Sequence, residues 1–480
     1  MKMSVDLILM YSRPWEFQFH KKLAARLRDE FPRTPLKFVT FFHEVHDRCI
    51  TENIECIYLP RLLKQSKGCS DAELAAVDEE VFVGFDSSLN VLLNGERFLP
   101  NGYSEKDIFL KNHVDVISKI VMPNTLSISS MYDHFAYCLA GALANARGGR
   151  HYAFVGCGVP GGRVLGLRTP SEAWQLGSKE DWDLAKLGAE ILTQKSSKRI
   201  EYMQSAEKKS IKFHEVICAL KRRARARKSA IFDCKEGGYF PVGTKSLTNT
   251  VLDKFSLAFR KKGAPPFCLD NINELEAKKG IFVALHMEPE ATLLMYSPWL
   301  RNQVEFVRLL SVCSPIGTMI YVKENPKMIG VRDVSYYTQL SEIPNVILVS
   351  DEIESSELIS KTSITASVCG TVTIEAFLLG KPTITLGKAP FKSMVDFCIY
   401  DRGISEIREF IDNTYRNLDA EVESENRLKL FQNWARLSFK AKSVPLYSFE
   451  GGLQIPFDDA NVEKYFSVVY ECFRRSAKKT

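Results

Sequence analysis

The feature that most constrains this chain is the order of short apolar runs after residue 280. "GIFVALHM" (280–287), "GTMIYVKENP" (317–326), "NVILVSD" (345–351), "SITASVCGT" (363–371) and "KPTITLG" (381–387) alternate with helical patterns at 299–312, 333–341, 355–360 and 372–379. Short apolar runs bounded by polar turns read as buried strands, and their regular alternation with helices implies βαβ units and a parallel sheet.

The first 170 residues repeat the pattern less regularly. "VDLILMY" (5–11), "LKFVTFF" (36–42) and "IECIYL" (54–59) are strand candidates, and "EFQFHKKLAARLRDEF" has the amphipathic spacing of a crossover helix. A second helix, "MYDHFAYCLAGALANAR", leads into "HYAFVGCGVPGGRVLGL". Its glycines lack the spacing of a phosphate-binding fingerprint, so the stretch reads as a flexible loop or a hairpin. At 480 residues the chain exceeds one ordinary core. The expected organisation is α/β: an N-terminal Rossmann-like domain over 1–171, a helical basic connector over 172–265, a second doubly wound domain over 266–455 and a closing helix over 456–480.

Composition narrows the class. With 45% hydrophobic and 25% charged residues the chain reads as a folded soluble protein, and a net charge of +6 spread over 64 basic and 58 acidic side chains leaves only local clusters to argue for an acidic partner. The main cluster is Lys221, Arg222, Arg223, Arg225, Arg227 and Lys228. It reads as a solvated helix face or as a contact with anionic lipid, a polyanionic acceptor or nucleic acid; no aromatic residues interleave with it, which argues against nucleic acid. The 12 cysteines include no C-x-x-C pair, which fits reduced thiols in a cytoplasmic protein better than disulfides or structural zinc. The apolar run at Leu7–Met10 is too short for a signal-peptide core, and no run is long enough to span a bilayer.

Three strand ends in the second half collect polar residues. The first carries His286, Glu288, Pro289 and Glu290; the second Lys323, Glu324, Asn325 and Pro326; the third Gly370, Thr371, Thr373 and Glu375. Ligands of open α/β sheets bind beyond the carboxyl ends of the strands. Gly370 lets backbone approach a ligand, Thr371 and Thr373 offer hydroxyl donors, and free N–H groups at a helix start favour phosphate, to which Lys323 would add charge. Glu375, one turn on, suits the diol of a ribose better than the phosphate. The simpler reading is a threonine-capped helix with a solvent-facing glutamate.

Read together, "LHMEPEATLL", "YVKENP", "YYTQLSEIPNVILV" and "CGTVTIEAFLLGKPTITLG" resemble the capsule polysaccharide biosynthesis family, which includes bacterial β-Kdo transferases using CMP-activated ulosonic acids. The resemblance covers roughly residues 280 to 400. It implies a GT-B glycosyltransferase, with two Rossmann-like domains facing a cleft, nucleotide in the second and acceptor in the first. It further implies that a Gln-Pro and a His-Pro motif line the CMP site and that the Gly-Thr helix start holds the phosphate. The matching positions here read Glu288-Pro289 and Asn325-Pro326. Glutamate adds a negative charge beside an anionic donor, and asparagine cannot supply a histidine's cation.

Glycosyl transfer needs a base or a carboxylate nucleophile. Asp133 and His134, at a helix start in the first domain, are the leading candidates, with Glu16 and His20 on the first helix behind them. No D-x-D motif stands at a strand end, so transfer is expected without a metal and with no cofactor beyond the nucleotide sugar. The implied partners are that donor and a glycan or glycolipid acceptor. Competing readings are a UDP- or GDP-sugar transferase, a nucleotide-sugar epimerase, and a non-catalytic glycan-assembly protein of the same fold.

Overall fold

The computed structural model describes residues 5–96, 99, 102–130, 132, 134–156, 163–174, 269–274, 280–288, 290–297, 302–385, 387, 403–417, 437–440 and 459–476. Asp133, Pro289, the basic cluster at 221–228 and all of the expected connector beyond Trp174 lie outside them.

Two sheets organise the chain. The first is built from β1 (Leu7–Tyr11), β2 (Leu36–Thr40), β3 (Cys56–Tyr58), β4 (Thr125–Ser129), β5 (Arg150–Gly156), β6 (Arg163–Thr169), β7 (Glu172–Ala173) and the distant β13 (Ser438–Lys440). Their order is β13-β6-β5-β4-β1-β2-β3, with β7 on β6. The strands from β3 to β5 run parallel, whereas β6 is antiparallel to both β5 and β13. The second sheet comprises β8 (Gly280–Ala284), β9 (Met319–Lys323), β10 (Val346–Val349), β11 (Ile364–Ser367) and β12 (Thr383–Thr385), in the order β10-β9-β8-β11-β12 and parallel throughout.

Both parallel cores share one winding. Numbered within its own unit, each runs third, second, first, fourth, fifth, so the chain reverses direction across the sheet between its first and fourth strands. That reversal leaves a crevice beyond the carboxyl ends of β1 and β4 in one unit and of β8 and β11 in the other. The α/β, Rossmann-like reading of both halves is therefore realised.

In the second unit every expected strand and helix is present, the helices being Gln303–Cys313, Val334–Ser341, Ser355–Lys361 and Val372–Leu378, with a short extra turn at Ala291–Tyr296. Its core gathers Phe282, Tyr321, Val349, Leu358 and Ala376. In the first unit three helices intervene between β3 and β4, at Asp71–Phe85, Leu89–Asn94 and Tyr103–Ile120. The first of these starts at a reciprocal cap, in which the Ser70 hydroxyl accepts the Glu73 N–H at 3.3 Å and the Glu73 carboxylate accepts the Ser70 N–H at 2.8 Å.

Helix Phe135–Ala146 is apolar on all sides, and Phe135 through Ala144 are all buried. Such a helix must be covered by neighbours, and burying each large side chain contributes about 1.5–3 kcal/mol. The described strands β5 and β6, on either side of residues 157–162, pair antiparallel.

The C-terminal region departs from the expected boundary. Among the described residues, β13 pairs with β6 and so belongs to the first unit, although it falls within the range expected for the second domain. Helix Asp459–Ser476 packs on helix Phe17–Glu30: Lys22 pairs with Asp459 at 2.7 Å, Arg26 with Glu463 at 2.8 Å, and the Arg26 guanidinium lies 4.0 Å from the Phe466 ring centre. The Tyr465 ring sits 4.8–5.0 Å from those of Phe19, Phe154 and Phe439, tying helix and β13 to the sheet. Among the described residues, no helix is long and apolar enough to cross a membrane.

Candidate functional site

The carboxyl ends of β8, β9 and β11 bring the predicted polar residues together. His286, two residues beyond β8, is held at every polar atom. Its backbone N–H donates to Gln303 Oε1 at 2.6 Å, while its carbonyl accepts Gln303 Nε2 at 3.2 Å and an Arg332 guanidinium nitrogen at 2.5 Å. Buried Gln303 thus supplies the donor and acceptor that a further strand would have given.

The imidazole lies between two elements. Its Nδ1 is 3.2 Å from Glu290 Oε2, and its Nε2 is 3.0 Å from Ser367 Oγ at the end of β11. The Cys369 N–H also points at Nε2, at 3.3 Å. A backbone amide can only donate, so Nε2 accepts and Nδ1 carries the proton toward Glu290.

The turn after β11 is built against this ring. Ser367 Oγ accepts the Gly370 N–H at 3.2 Å, and a Cβ on Gly370 would stand 2.6 Å from that oxygen and 3.3 Å from His286 Cε1. Gly370 is thus required by close packing. Thr371 is the N-cap residue of helix Val372–Leu378 without a side-chain cap bond. Thr373 is buried, and its hydroxyl donates to the Gly370 carbonyl at 2.8 Å, closing the turn. Glu375 is half-buried on the first turn of that helix. Burial raises the Cys369 thiol to about 12, a shift partly opposed by a hydrogen bond from Ser297, so it is not a thiolate nucleophile.

The β9 end differs from expectation. Lys323 is buried and its ammonium donates to the carbonyls of Ile353 and, at 3.4 Å, Asp351, so it tethers the loop after β10. Asn325 Oδ1 accepts the Lys327 N–H at 3.1 Å, shaping the turn in which Pro326 is exposed.

Sequence reasoning missed Arg332. Its guanidinium is buried, paired with Glu324 at 2.7 Å and Glu288 at 2.8 Å, and centred 4.3 Å from the Tyr336 ring. Burial works against the Arg332 cation, but the carboxylates outweigh it and keep the guanidinium charged. Glu288, expected to repel an anion, is paired with Arg332, which it shares with Glu324, and is held by Gln303. No local spacing marks Arg332 or Gln303, whose partners come from other strand ends.

In the first unit the crevice beyond β1 and β4 also holds buried polar groups. Glu16 accepts the Arg13 N–H at 3.3 Å and the Ser130 hydroxyl, with the Arg13 guanidinium 4.0 Å away. His20 Nδ1 lies 3.1 Å from Ser12 Oγ, and burial together with Arg13 lowers its pKa to about 3. His134 is the buried N-cap residue of helix Phe135–Ala146, 3.8 Å from the Glu96 carboxylate, which also accepts the Phe135 N–H at 2.8 Å. Glu96, too, was not singled out from the sequence.

Residues 291–395 match the capsule polysaccharide biosynthesis protein family. This segment contains β9 through β12, Arg332 and the Gly370 turn, and begins just after His286 and Glu288. The resemblance read from the motifs is thereby shown. Among solved structures, the chain is similar to Thermosulfurimonas dismutans KpsC, beta Kdo 2,7 transferase, at 13% identity and TM-score 0.31, covering 78% of this chain and 90% of that one. It is similar to the beta Kdo 2,4 transferase of the same KpsC at 14% identity and TM-score 0.30, covering 65% and 78%. Anabaena Alr3699/HepE in complex with UDP-glucose matches at 9% identity and TM-score 0.26, covering 97% and 99%. No curated protein matches the chain in sequence.

Proposed function

We propose that this chain is a GT-B glycosyltransferase that moves a sugar, an ulosonic acid from a CMP donor by preference, onto a bacterial surface polysaccharide or glycolipid. One observation carries the reading: the capsule biosynthesis match falls on the segment that forms the polar ends of β9 and β11 in the second sheet. Those strand ends border the crevice where open α/β sheets take nucleotides.

In this reading the Gly370–Thr371 turn approaches the donor phosphate and Glu375 accepts the ribose hydroxyls, with His286, Glu288, Pro289, Asn325 and Pro326 lining the nucleotide. His134, beside Glu96, and Asp133 are the first candidates for activating the acceptor, and transfer proceeds without a resident metal. The basic run 221–228 would contact an anionic membrane from the cytoplasmic side.

Calorimetric titration of the full chain with CMP, UDP, GDP and their sugars tests the site. CMP should bind most tightly, and Glu375→Ala should weaken that binding without unfolding the protein. A preference for uridine or guanosine removes the CMP assignment, and unchanged affinity in Glu375→Ala removes the ribose contact.

A second reading has its own support. Lys323 and Thr373, the expected phosphate donors, are engaged by backbone carbonyls. This favours a glycan-assembly protein that binds a nucleotide sugar without turning it over; donor hydrolysis or transfer by purified protein would exclude it.

A further inference from the structure

Two strand-end loops that are distant in sequence converge on a single side chain. Arg332 stands just before helix Val334–Ser341, which begins after the β9 loop. One of its terminal nitrogens donates to the His286 carbonyl at 2.5 Å, the other pairs with Glu288 at 2.8 Å, and its Nε donates to Glu324 at 2.7 Å. The opposite side of the pair is equally committed. Glu324 accepts the Asn325 N–H at 2.6 Å and the Tyr337 hydroxyl at 3.0 Å, so the β9 loop and the following helix are tied to the same carboxylate. The Arg332 side chain is 3% exposed and that of Glu324 2%, which excludes a freely solvated ion pair.

We propose that Arg332 is the positioning residue of the nucleotide site: one guanidinium locks the His286–Glu288 loop and the Glu324–Asn325–Pro326 loop into a fixed relation, so that both present their groups to the donor together. This rests on the reading of these strand ends as a nucleotide site. Arg332 itself touches no ligand in this role. Only a planar fork with several donors meets a carbonyl and two carboxylates at once; a lysine ammonium on a flexible stem does not reproduce that geometry.

Charge and geometry can be separated. Arg332 against Glu288 and Glu324 carries one net negative charge, and Arg332→Met combined with Glu324→Gln, leaving Glu288, carries the same. With its amide oxygen in the place of Glu324 Oε1, Glu324→Gln would still accept the Asn325 N–H, and its NH2 in the place of Oε2 would donate to the Tyr337 hydroxyl, which turns to accept. Replacing both members of a buried ion pair is tolerated far better than removing one. The double variant therefore removes the link between the loops at constant local charge.

The experiment is calorimetric titration of the full chain with CMP, UDP and GDP, followed by thermal unfolding of each variant. With the nucleotide that the wild-type chain binds most tightly, the double variant should lose about tenfold in affinity or more, the equivalent of one well-made contact. Its melting temperature should recover relative to Arg332→Met alone. Arg332→Lys should fall between wild type and the double variant in affinity. A role confined to stability predicts that affinity returns along with melting temperature, and wild-type affinity in the double variant overturns the proposal. Should the double variant fail to fold, Arg332→Lys decides: wild-type affinity there overturns it equally. A wild-type chain that binds none of the three nucleotides instead removes the site reading, and the proposal with it.

Discussion

The backbone N–H of Cys369 is aimed at His286 Nε2, 3.3 Å away, joining the turn after β11 to the loop after β8 through a side chain. His286→Ala removes this acceptor and the neighbour of Ser367 Oγ while the amide stays buried. A buried donor left without its partner costs about 1–3 kcal/mol. Thermal unfolding should show that loss in the second unit, and nucleotide affinity should fall with it because the Gly370 turn loses its anchor. An unchanged melting temperature would refute the structural part of this account.

Gly370 faces the same ring. Alanine there places a methyl 2.6 Å from Ser367 Oγ, and overpacking of this kind costs about 1–3 kcal/mol. Adding Ser367→Ala deletes the nearest atom and should restore part of the loss. Urea unfolding of the single and double variants checks this, and a double variant no more stable than Gly370→Ala would show that the clash lies elsewhere.

Gly84 presents a harsher case. A Cβ there would stand 2.1 Å from the Ala142 carbonyl oxygen, where helix Asp71–Phe85 crosses helix Phe135–Ala146. No rotamer change can move a backbone atom aside, so Gly84→Ala should cost at least about 3 kcal/mol, more than Gly370→Ala. Comparable urea midpoints for the two variants would count against this crossing.

Acid should act first on the first unit. Burial lowers His20 and His151 to about 3 and His113 to about 4, with Arg13 adding to the shift at His20. These folded-state values lie below the unfolded histidine value. Their contribution is therefore complete above about pH 6.5 and is lost as pH falls toward 4 and 3. At pH 5 each would cost roughly 2 kcal/mol of stability. Hydrogen exchange at pH 7 and pH 5, corrected for intrinsic rates, should show protection falling across residues 7–174. Equal protection at the two pH values would contradict neutral burial of these rings.

Much of the second unit was legible in advance because β8, β9 and β10 read as continuous apolar runs, as strands of a covered parallel sheet do. β4 was not: "TLSIS" alternates hydroxyls with aliphatics, yet all five residues are buried. Ser127 finds its partner in His151 Nδ1 at 2.8 Å on the neighbouring strand, a pairing with no local signal. The return of β13 to the first sheet was equally invisible, since three residues have no period and their partner strand lies far back in the chain.

For the candidate site the sequence supplied the residues but not their partners. It determined the alternation of strands and helices, and hence that His286, Lys323 and Gly370 would each stand at the carboxyl end of a parallel strand, because periodicity and turn chemistry are properties of neighbouring residues. Only the tertiary structure decided that Lys323 holds the loop after β10, that Thr373 closes its own turn, and that Arg332 pairs with the glutamate that had looked out of place at 288. Those assignments depend on strand order and register, which bring distant residues within hydrogen-bond reach and leave each buried donor to the nearest acceptor.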